Sequence, residues 1–266
     1  MQPTLVHINI FPVKSCGPLM VDHAVVESRG LRGDRRWMIV DAEGTFISAR
    51  KQPRLLLVRA VFAGDSLLLD APGMPRLHLL AAADKTAATV TVWADVVAGM
   101  PARDDADAWI SSYLGFPARF VFMAEACVRP IDAAYAKPGD EVSFADGFPL
   151  LLISQAALDD LNGRLASPLP MLRFRPSVVV ANTAAHAEDG WQAIRIGEVA
   201  FDVVKPCVRC VLTTVDPATG TFDPTGEPLR TLVSYRRGAK GVTFGQNLIP
   251  RGQGKIRIGD PVSIIA

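Results

Sequence analysis

The chain has 266 residues, 49% of them hydrophobic, and its 28 basic and 27 acidic residues leave a formal net charge of +1. This length and composition allow one large domain or two ordinary ones and argue against a disordered chain. The balanced charge argues against a nucleic-acid partner, because nucleic-acid binding depends on an excess of Lys and Arg.

Nothing in the sequence is typical of a targeting or membrane segment. Residues 1–10 alternate like a strand and lack the basic start and long apolar core of a signal peptide. No segment approaches the ~20 consecutive apolar residues that cross a bilayer. Four cysteines are too few for a disulfide framework at this size, namely Cys16, Cys127, Cys207 and Cys210. We expect a cytoplasmic protein with free thiols and no membrane partner.

The first strand is predicted over residues 4–13, which alternate until Pro12 and Gly17 break the pattern. This break leaves Lys14 and Ser15 in a turn. A lysine and a hydroxyl beside backbone amides suit a phosphate oxygen. A solvated turn lysine is the commoner case and stays the alternative.

Residues 19–48 are predicted to form hairpins, and they carry four arginines within eight positions. A planar guanidinium binds phosphate with two hydrogen bonds, so this cluster is a candidate anion site. An exposed hairpin edge is the usual alternative. The four are Arg29, Arg32, Arg35 and Arg36.

Short β-type runs follow at 55–62, 66–69, 76–80 and 89–97. Regular short strands separated by turns predict a sandwich or barrel. Residues 104–114 change to helical spacing, with Asp104 or Asp105 as the predicted cap and Gly115 as the stop.

The second half is again predicted to be rich in strands, with Ser154 capping a helix that contains Leu158. The fold class is therefore mainly β with a few helices. Its predicted strands cover 118–123, 150–153, 177–180, 191–196, 199–204 and 255–262.

The segment 205–210 places Cys207 and Cys210 three residues apart beside cationic side chains. A zinc site needs further Cys or His ligands at short spacing, and the four histidines are scattered. A thioredoxin-like pair should start a helix, whereas the β-branched run at 211–215 predicts a strand. The remaining interpretations are a single thiolate ligand for a soft metal and two buried structural cysteines.

The whole chain resembles the MOSC family, the molybdenum-cofactor sulfurase C-terminal domains, in the form with an N-terminal β-barrel domain. The ordered motifs are FPVKSCG, RGLRGDRRWMIVD, VWADVV, ADAWISSYLG, FADGFPLLLIS, RFRPS, AEDGW, PCVRCVLTTVDPATG, LRTLVSYRR, FGQN and GDPV. The resemblance implies a β-barrel MOSC core and a smaller N-terminal β-rich lobe. It places the N-terminal domain at 1–120, with residues 1–37 packing against the core, and the MOSC domain at 121–266.

The resemblance also implies a molybdenum cofactor, Mo-molybdopterin. Its terminal phosphate is expected at Lys14, Ser15 and Arg35. The protein ligand to molybdenum is expected to be the thiolate of Cys210, which separates this cysteine from Cys207.

Further positions around the pterin and the metal are matched by Asp146, Arg175, Ser177, Val208 and Arg209. Asp146 is expected to assist proton delivery. Ser177 stands where the amidoxime-reducing members of the family have asparagine, so one pterin contact is shortened and substrate recognition differs.

The source of electrons is expected to be a separate protein. Some family members carry a plant-type ferredoxin domain with a C-x4-C-x2-C motif, which this sequence lacks, and it has no Gly-rich dinucleotide fingerprint. A ferredoxin- or cytochrome-like donor with its reductase is therefore the expected partner.

The resulting hypothesis is an oxidoreductase that reduces N-hydroxylated or N-oxygenated small molecules with molybdenum held by Cys210. One alternative is a sulfur carrier or transferase that bears a persulfide on Cys210. Another is a module that binds the molybdenum cofactor without turnover.

Overall fold

The computed structural model describes residues 2–82 and 84–266 and confirms a mainly β fold with a few helices. The described α-helices are Asp104–Leu114 (α1), Gln155–Asn162 (α2) and Leu229–Tyr235 (α3). Short 3-10 helices cover Pro53–Leu57, Met171–Phe174, Ala187–Gly190 and Val211–Thr214.

Eleven strands lie in the described part of the first half. They are Thr4–Ile10 (β1), Leu19–Val21 (β2), His23–Glu27 (β3), Gly30–Leu31 (β4), Trp37–Val40 (β5), Arg59–Ala63 (β6), Ser66–Asp70 (β7), Leu77–Leu79 (β8), Ala88–Val92 (β9), Asp95–Pro101 (β10) and Arg119–Phe122 (β11).

The strands of the second half begin at Leu150. They are Leu150–Ser154 (β12), Val178–Ala181 (β13), Ala193–Ile196 (β14), Val199–Val208 (β15), Val215–Asp216 (β16), Thr221–Phe222 (β17), Arg237–Gly238 (β18), Gly241–Pro250 (β19), Gly254–Arg257 (β20) and Val262–Ile264 (β21).

The largest sheet joins the start of the chain to its second half. Its order is β2-β1-β13-β12-β19-β15-β14-β21, with β18 beside β19. Strand β1 pairs antiparallel with β13, so that Ile8 lies opposite Val178, and both side chains enter one apolar core with Phe201. Strand β3 likewise pairs with β20. The beginning of the chain thus packs with strands from beyond residue 177, while a domain boundary at residue 120 stays a prediction.

Residues 37–122, called the N-terminal lobe below, have their own core. Strands β5-β11-β10-β9 form one sheet, β6-β7-β8 form another, and α1 packs against them. Helix α1 buries Trp109, Ile110 and Tyr113 at helical spacing and ends at Gly115 with φ 82°, as predicted. The predicted Asp caps are wrong, because Arg103 is the N-cap residue and Asp104 already lies in the first turn. There its charge is favourable near the positive end of the helix dipole.

Helix α2 begins as predicted at Ser154. The Ser154 Oγ accepts a hydrogen bond from the Ala157 backbone N–H at 3.1 Å, which satisfies one free donor of the first turn. The helix lies in the crossover between parallel strands β12 and β13. This arrangement fixes both ends of segment 155–177, and residues 173–175 near its end line a pocket beside the large sheet.

Two predicted strands are interrupted in the structure. The run 89–97 is a hairpin of β9 and β10 with a two-residue turn at Trp93 and Ala94. The run 55–62 begins as a 3-10 helix, because Pro53 occupies its first turn and favours helical φ.

The strand predicted at 211–215 is also wrong over most of its length. Residues Val211–Thr214 form a 3-10 helix, and β16 starts only at Val215. The Thr213 hydroxyl donates to the Cys210 carbonyl at 2.9 Å, and the Thr214 hydroxyl donates to the Val211 carbonyl at 2.8 Å. These local bonds compete with a sheet ladder, so the threonines support a turn here despite their β propensity.

Candidate functional site

A pocket lies where the first turn of the chain, the N-terminal lobe and the large sheet meet. Its empty space, including the open mouth, is about 900 Å³. We call it the central pocket. Its lining comes from segments 14–15, 46–50, 145–151, 173–175 and 207–213 together with Arg35, Trp93 and Asn247.

The turn after β1 presents Lys14 and Ser15 to the central pocket. The Lys14 backbone N–H donates to the Trp37 carbonyl at 2.7 Å, which ties the turn to the N-terminal lobe. Ser15 has φ 70° and Arg35 has φ 47°. Left-handed backbone at residues other than glycine is costly and concentrates at functional sites.

The Asp146 carboxylate connects three parts of the chain. Lys14 Nζ lies 2.5 Å from Oδ1, Trp93 Nε1 donates to Oδ1 at 3.2 Å, and Arg50 lies 3.2 Å from Oδ2. Burial lowers the pKa of Lys14 to about 8, although the ion pair with Asp146 opposes that change. Burial would raise the pKa of Asp146, but Lys14 and Arg50 outweigh it and hold that pKa well below its usual range. Asp146 is therefore an anion at neutral pH.

Two arginines contact the same aromatic ring at the inner side of the pocket. The guanidinium carbons of Arg35 and Arg175 lie 4.3 and 4.1 Å from the Phe11 ring centroid. Arg175 also donates to the Cys16 carbonyl at 2.8 Å, and Arg35 pairs with buried Asp34 at 2.5 Å. Burial beside Arg35 lowers the pKa of Arg175 to about 9, so the Arg175 guanidinium stays cationic at neutral pH.

Ser177 lies behind this pair and is not part of the pocket lining. It is fully buried, and its Oγ accepts from Arg35 at 3.5 Å and from the Leu151 backbone N–H at 3.3 Å. Its contact with the pocket is thus indirect, through Arg35.

The cysteine pair lies at the end of β15, where the chain leaves the large sheet. The pairing of β15 with β19 shifts register between Pro206 and Val208, a β-bulge of the kind that redirects side chains beside active sites. Arg209 donates to Cys207 Sγ at 2.9 Å and to the Phe174 carbonyl at 2.6 Å. Cys210 is the N-cap residue of the following 3-10 helix. Both cysteines line the pocket. Cys207 lies within β15, whereas Cys210 lies after the strand.

Lys205 is turned toward aromatic rings. Its Nζ lies 4.6 Å from the Tyr135 ring centroid and 5.7 Å from that of Phe148. Lys205 therefore interacts with the rim of the pocket through these rings, and Arg209 is the cation that contacts a cysteine sulfur.

The described pocket lining carries six cations and one carboxylate, that of Asp146. The cations are Lys14, Arg35, Arg50, Arg173, Arg175 and Arg209. Two of them have a buried Nε without a hydrogen-bond partner, namely Arg173 and Arg209. An excess of cations with unsatisfied donors favours an anionic ligand.

The structure brings eight of the nine predicted site residues to the pocket lining and places Ser177 one layer behind. Four lining residues of the N-terminal lobe were not predicted from the sequence, namely Phe46, Ser48, Arg50 and Trp93, and neither was Arg173. Trp93 lies in the quoted VWADVV motif and Arg173 in RFRPS. These two residues could have been predicted by treating every residue of the quoted motifs as a candidate. No local pattern marks Arg50 or Phe46.

The domain content follows from comparison with known proteins. Residues 2–117 match the MOSC N-terminal beta barrel domain, and residues 139–263 match the MOSC domain. The chain belongs to the MOSC family. Its described pocket residues come from both matched segments, because Lys14 and Trp93 fall in the first and Asp146 and Cys210 in the second.

Several curated proteins resemble this MOSC protein over almost its whole length. Mitochondrial amidoxime-reducing component 1 of Homo sapiens is 37% identical over 98% of this chain and 83% of that protein. The protein of the same name from Mus musculus is 35% identical over 98% and 82%, and mitochondrial amidoxime reducing component 2 of Rattus norvegicus is 36% identical over 97% and 82%.

Among solved structures, the YUAD protein from Bacillus subtilis aligns with a TM-score of 0.46 and 12% identity. The alignment covers 98% of this chain and 94% of that chain.

Two further properties of the MOSC protein concern residues 2–82 and 84–266. Within these ranges no helix is long and apolar enough to span a bilayer. Within the same ranges no three His, Cys, Asp or Glu side chains come together as a metal-binding group. The cytoplasmic location stays a prediction, and the relatives above carry mitochondrial names.

The charge of Lys14 predicts how anion binding depends on pH. Because its pKa is about 8, Lys14 loses its proton as the pH rises through 8, and the pocket loses one cation. We expect sulfate affinity, measured by calorimetry, to fall about tenfold from pH 7 to pH 9 through this single proton. Sulfate keeps its double charge throughout. In Lys14→Arg this cation persists, so the fall should shrink to about twofold, which Arg175 with its pKa of about 9 would cause by pH 9. An undiminished fall in this variant would contradict the assignment.

Proposed function

We propose that the central pocket binds a molybdenum cofactor and that the protein reduces N-hydroxylated or related N-oxygenated small molecules. The observation that carries the proposal is that Lys14, Ser15 and Arg35 line the same pocket as Cys210. Relatives named amidoxime-reducing components, identical at 35–37% of positions, support the reaction class.

The residues present fit such a cofactor. Molybdopterin carries a phosphate, for which the pocket offers a buried lysine, a serine and arginines. The orphaned Nε atoms of Arg173 and Arg209 provide further donors for polar ring atoms. Cys210 is free and partly exposed, and its sulfur is a soft ligand suited to a polarisable metal.

Each residue has a role in this proposal. Lys14, Ser15 and Arg35 hold the phosphate, and Cys210 holds the metal. The residues assigned to the pterin and its surroundings are Arg175, Val208 and Arg209, with Ser177 acting by orienting Arg35.

Reduction of an amidoxime breaks its N–O bond, consumes two electrons and two protons, and releases an amidine and water. Bound molybdenum supplies the two-electron redox chemistry for this change. The carboxylate of Asp146 is ionised, whereas Lys14 holds a proton 2.5 Å away. We therefore place the proton at this end of the pocket on Lys14 Nζ, and we assign Asp146 to accept the hydrogen bond of this ammonium and so orient it.

Electrons come, in this proposal, from a separate ferredoxin- or cytochrome-like protein with its reductase. The open mouth of the pocket gives such a donor access to bound cofactor.

The proposal is tested with protein expressed in the presence of molybdate. We expect stoichiometric molybdenum, a fluorescent pterin after cofactor release, and conversion of benzamidoxime to benzamidine with reduced viologen as donor. Pterin retention without reduction by any competent donor would instead indicate a binding module. A labile sulfur adduct on Cys210 without pterin, seen by mass spectrometry, would indicate a sulfur carrier.

A further inference from the structure

The turn between β9 and β10 contains a residue that its backbone does not favour. Val92 pairs with Asp95, so Trp93 and Ala94 form the whole turn, and Trp93 has φ 58°. Two-residue hairpin turns with positive φ normally use Gly, Asn or Asp. A bulky side chain in this conformation is strained, and such strain persists where the side chain has a function.

The indole of Trp93 faces the central pocket and is not part of a core. Trp93 is 39% exposed, whereas the other three tryptophans are at most 9% exposed. Trp37 and Trp109 lie in the hydrophobic core of the N-terminal lobe, and Trp191 lies in the core of the large sheet. Burial in a core therefore does not explain the tryptophan at position 93.

The contacts of Trp93 hold its ring in place. Nε1 donates to Asp146 at 3.2 Å, the Phe46 ring lies 4.7 Å away edge-on, and the Arg50 guanidinium carbon lies 4.3 Å from the indole centroid. A hydrogen bond, an edge contact and a cation–π contact fix the plane of the indole before any ligand arrives. A fixed and partly exposed aromatic ring stacks on planar ligands at small entropic cost.

We infer that Trp93 is a stacking platform for a planar conjugated ring bound in the central pocket. Two rings have this chemistry, the pterin of the proposed cofactor and the ring of an aryl N-hydroxylated substrate. The inference rests on the proposed function for the identity of these rings. The neighbouring cations Arg50 and Lys14 favour a ring that carries a negatively charged group.

The test measures binding by calorimetry to the full chain without cofactor, using pterin-6-carboxylate and benzamidoxime in separate titrations. We expect Trp93→Ala to weaken the stacked ring about tenfold, the order of one aromatic stacking contact, and Trp93→Phe to weaken it less than about threefold. The probe that binds more weakly to Trp93→Ala than to the wild type shows whether the stacked ring is the pterin or the aryl ring of a substrate. Sulfate, which is not planar, should bind to all variants equally.

A second variant separates stacking from a structural role. Trp93→Asn suits the backbone of the turn, so we expect its melting temperature to equal or exceed that of the wild type while ring affinity falls as in Trp93→Ala. A lower melting temperature in Trp93→Asn with unchanged affinity for both rings would overturn the inference. Failure of the wild-type protein to bind either ring would contradict the proposed function as well, whereas binding that ignores Trp93 contradicts the stacking platform alone.

Discussion

Cys210→Ser is expected to yield protein without molybdenum and without amidoxime reduction. A serine hydroxyl is a hard, protonated group and a poor ligand for a metal that prefers thiolate. Loss of outer partners of a metal ligand costs about 10–100-fold in metal affinity, and loss of the ligand itself should exceed that. Metal analysis of protein expressed with molybdate measures the effect.

Cys207→Ser is the matched control, because both cysteines line the pocket three residues apart. Serine at 207 can still accept the hydrogen bond from Arg209, so we expect molybdenum content within about twofold of the wild type. Stoichiometric molybdenum in Cys210→Ser would refute the ligand assignment. Loss of metal only in Cys207→Ser would transfer it to the other cysteine.

Arg129→Met is expected to cause the largest loss of stability among single changes near the site. Arg129 is 2% exposed and donates to the backbone carbonyls of Ser143, Ala145 and Asp146 as well as to the carboxylate of Asp95. Methionine fills the space but donates to none of them. Leaving these acceptors unpaired should lower the free energy of unfolding by about 3–5 kcal/mol, measured by urea denaturation.

The control for this experiment is Arg76→Met, which removes an exposed ion pair with Asp70. We expect its unfolding curve to coincide with that of the wild type, because exposed pairs contribute little. A change in Arg129→Met no larger than that of Arg76→Met would show that the carbonyls find water instead. Because Arg129 also holds the backbone of Asp146, which pairs with Lys14, the variant should weaken sulfate binding as well.

Sequence patterns correctly predicted where one helix begins and where another ends. Ser154 caps α2, and Gly115 ends α1, because capping depends on a few adjacent residues. The strand predicted at 211–215 was wrong because the hydroxyls of Thr213 and Thr214 bond to the backbone behind them, which β propensity ignores.

The candidate site was predicted where short motifs contain the polar groups, as at Lys14, Asp146 and Cys210. Arg50 escaped prediction because its relevance arises only when the N-terminal lobe meets Asp146 across the pocket. Arg129 looks like a loop arginine in the sequence, and only the carbonyls around it reveal a buried organising side chain. Such long-range convergence has no signature at the scale of a motif.

The pairing of β1 with β13 has a consequence for biosynthesis. Thr4 finds its partner at Ala181, so the first strand cannot complete its sheet until the ribosome has made most of the chain. The turn with Lys14 extends from that strand, and its final position depends on the same late event. A nascent chain shorter than this thus lacks a finished central pocket, so a ligand can bind there only once most of the chain has been made.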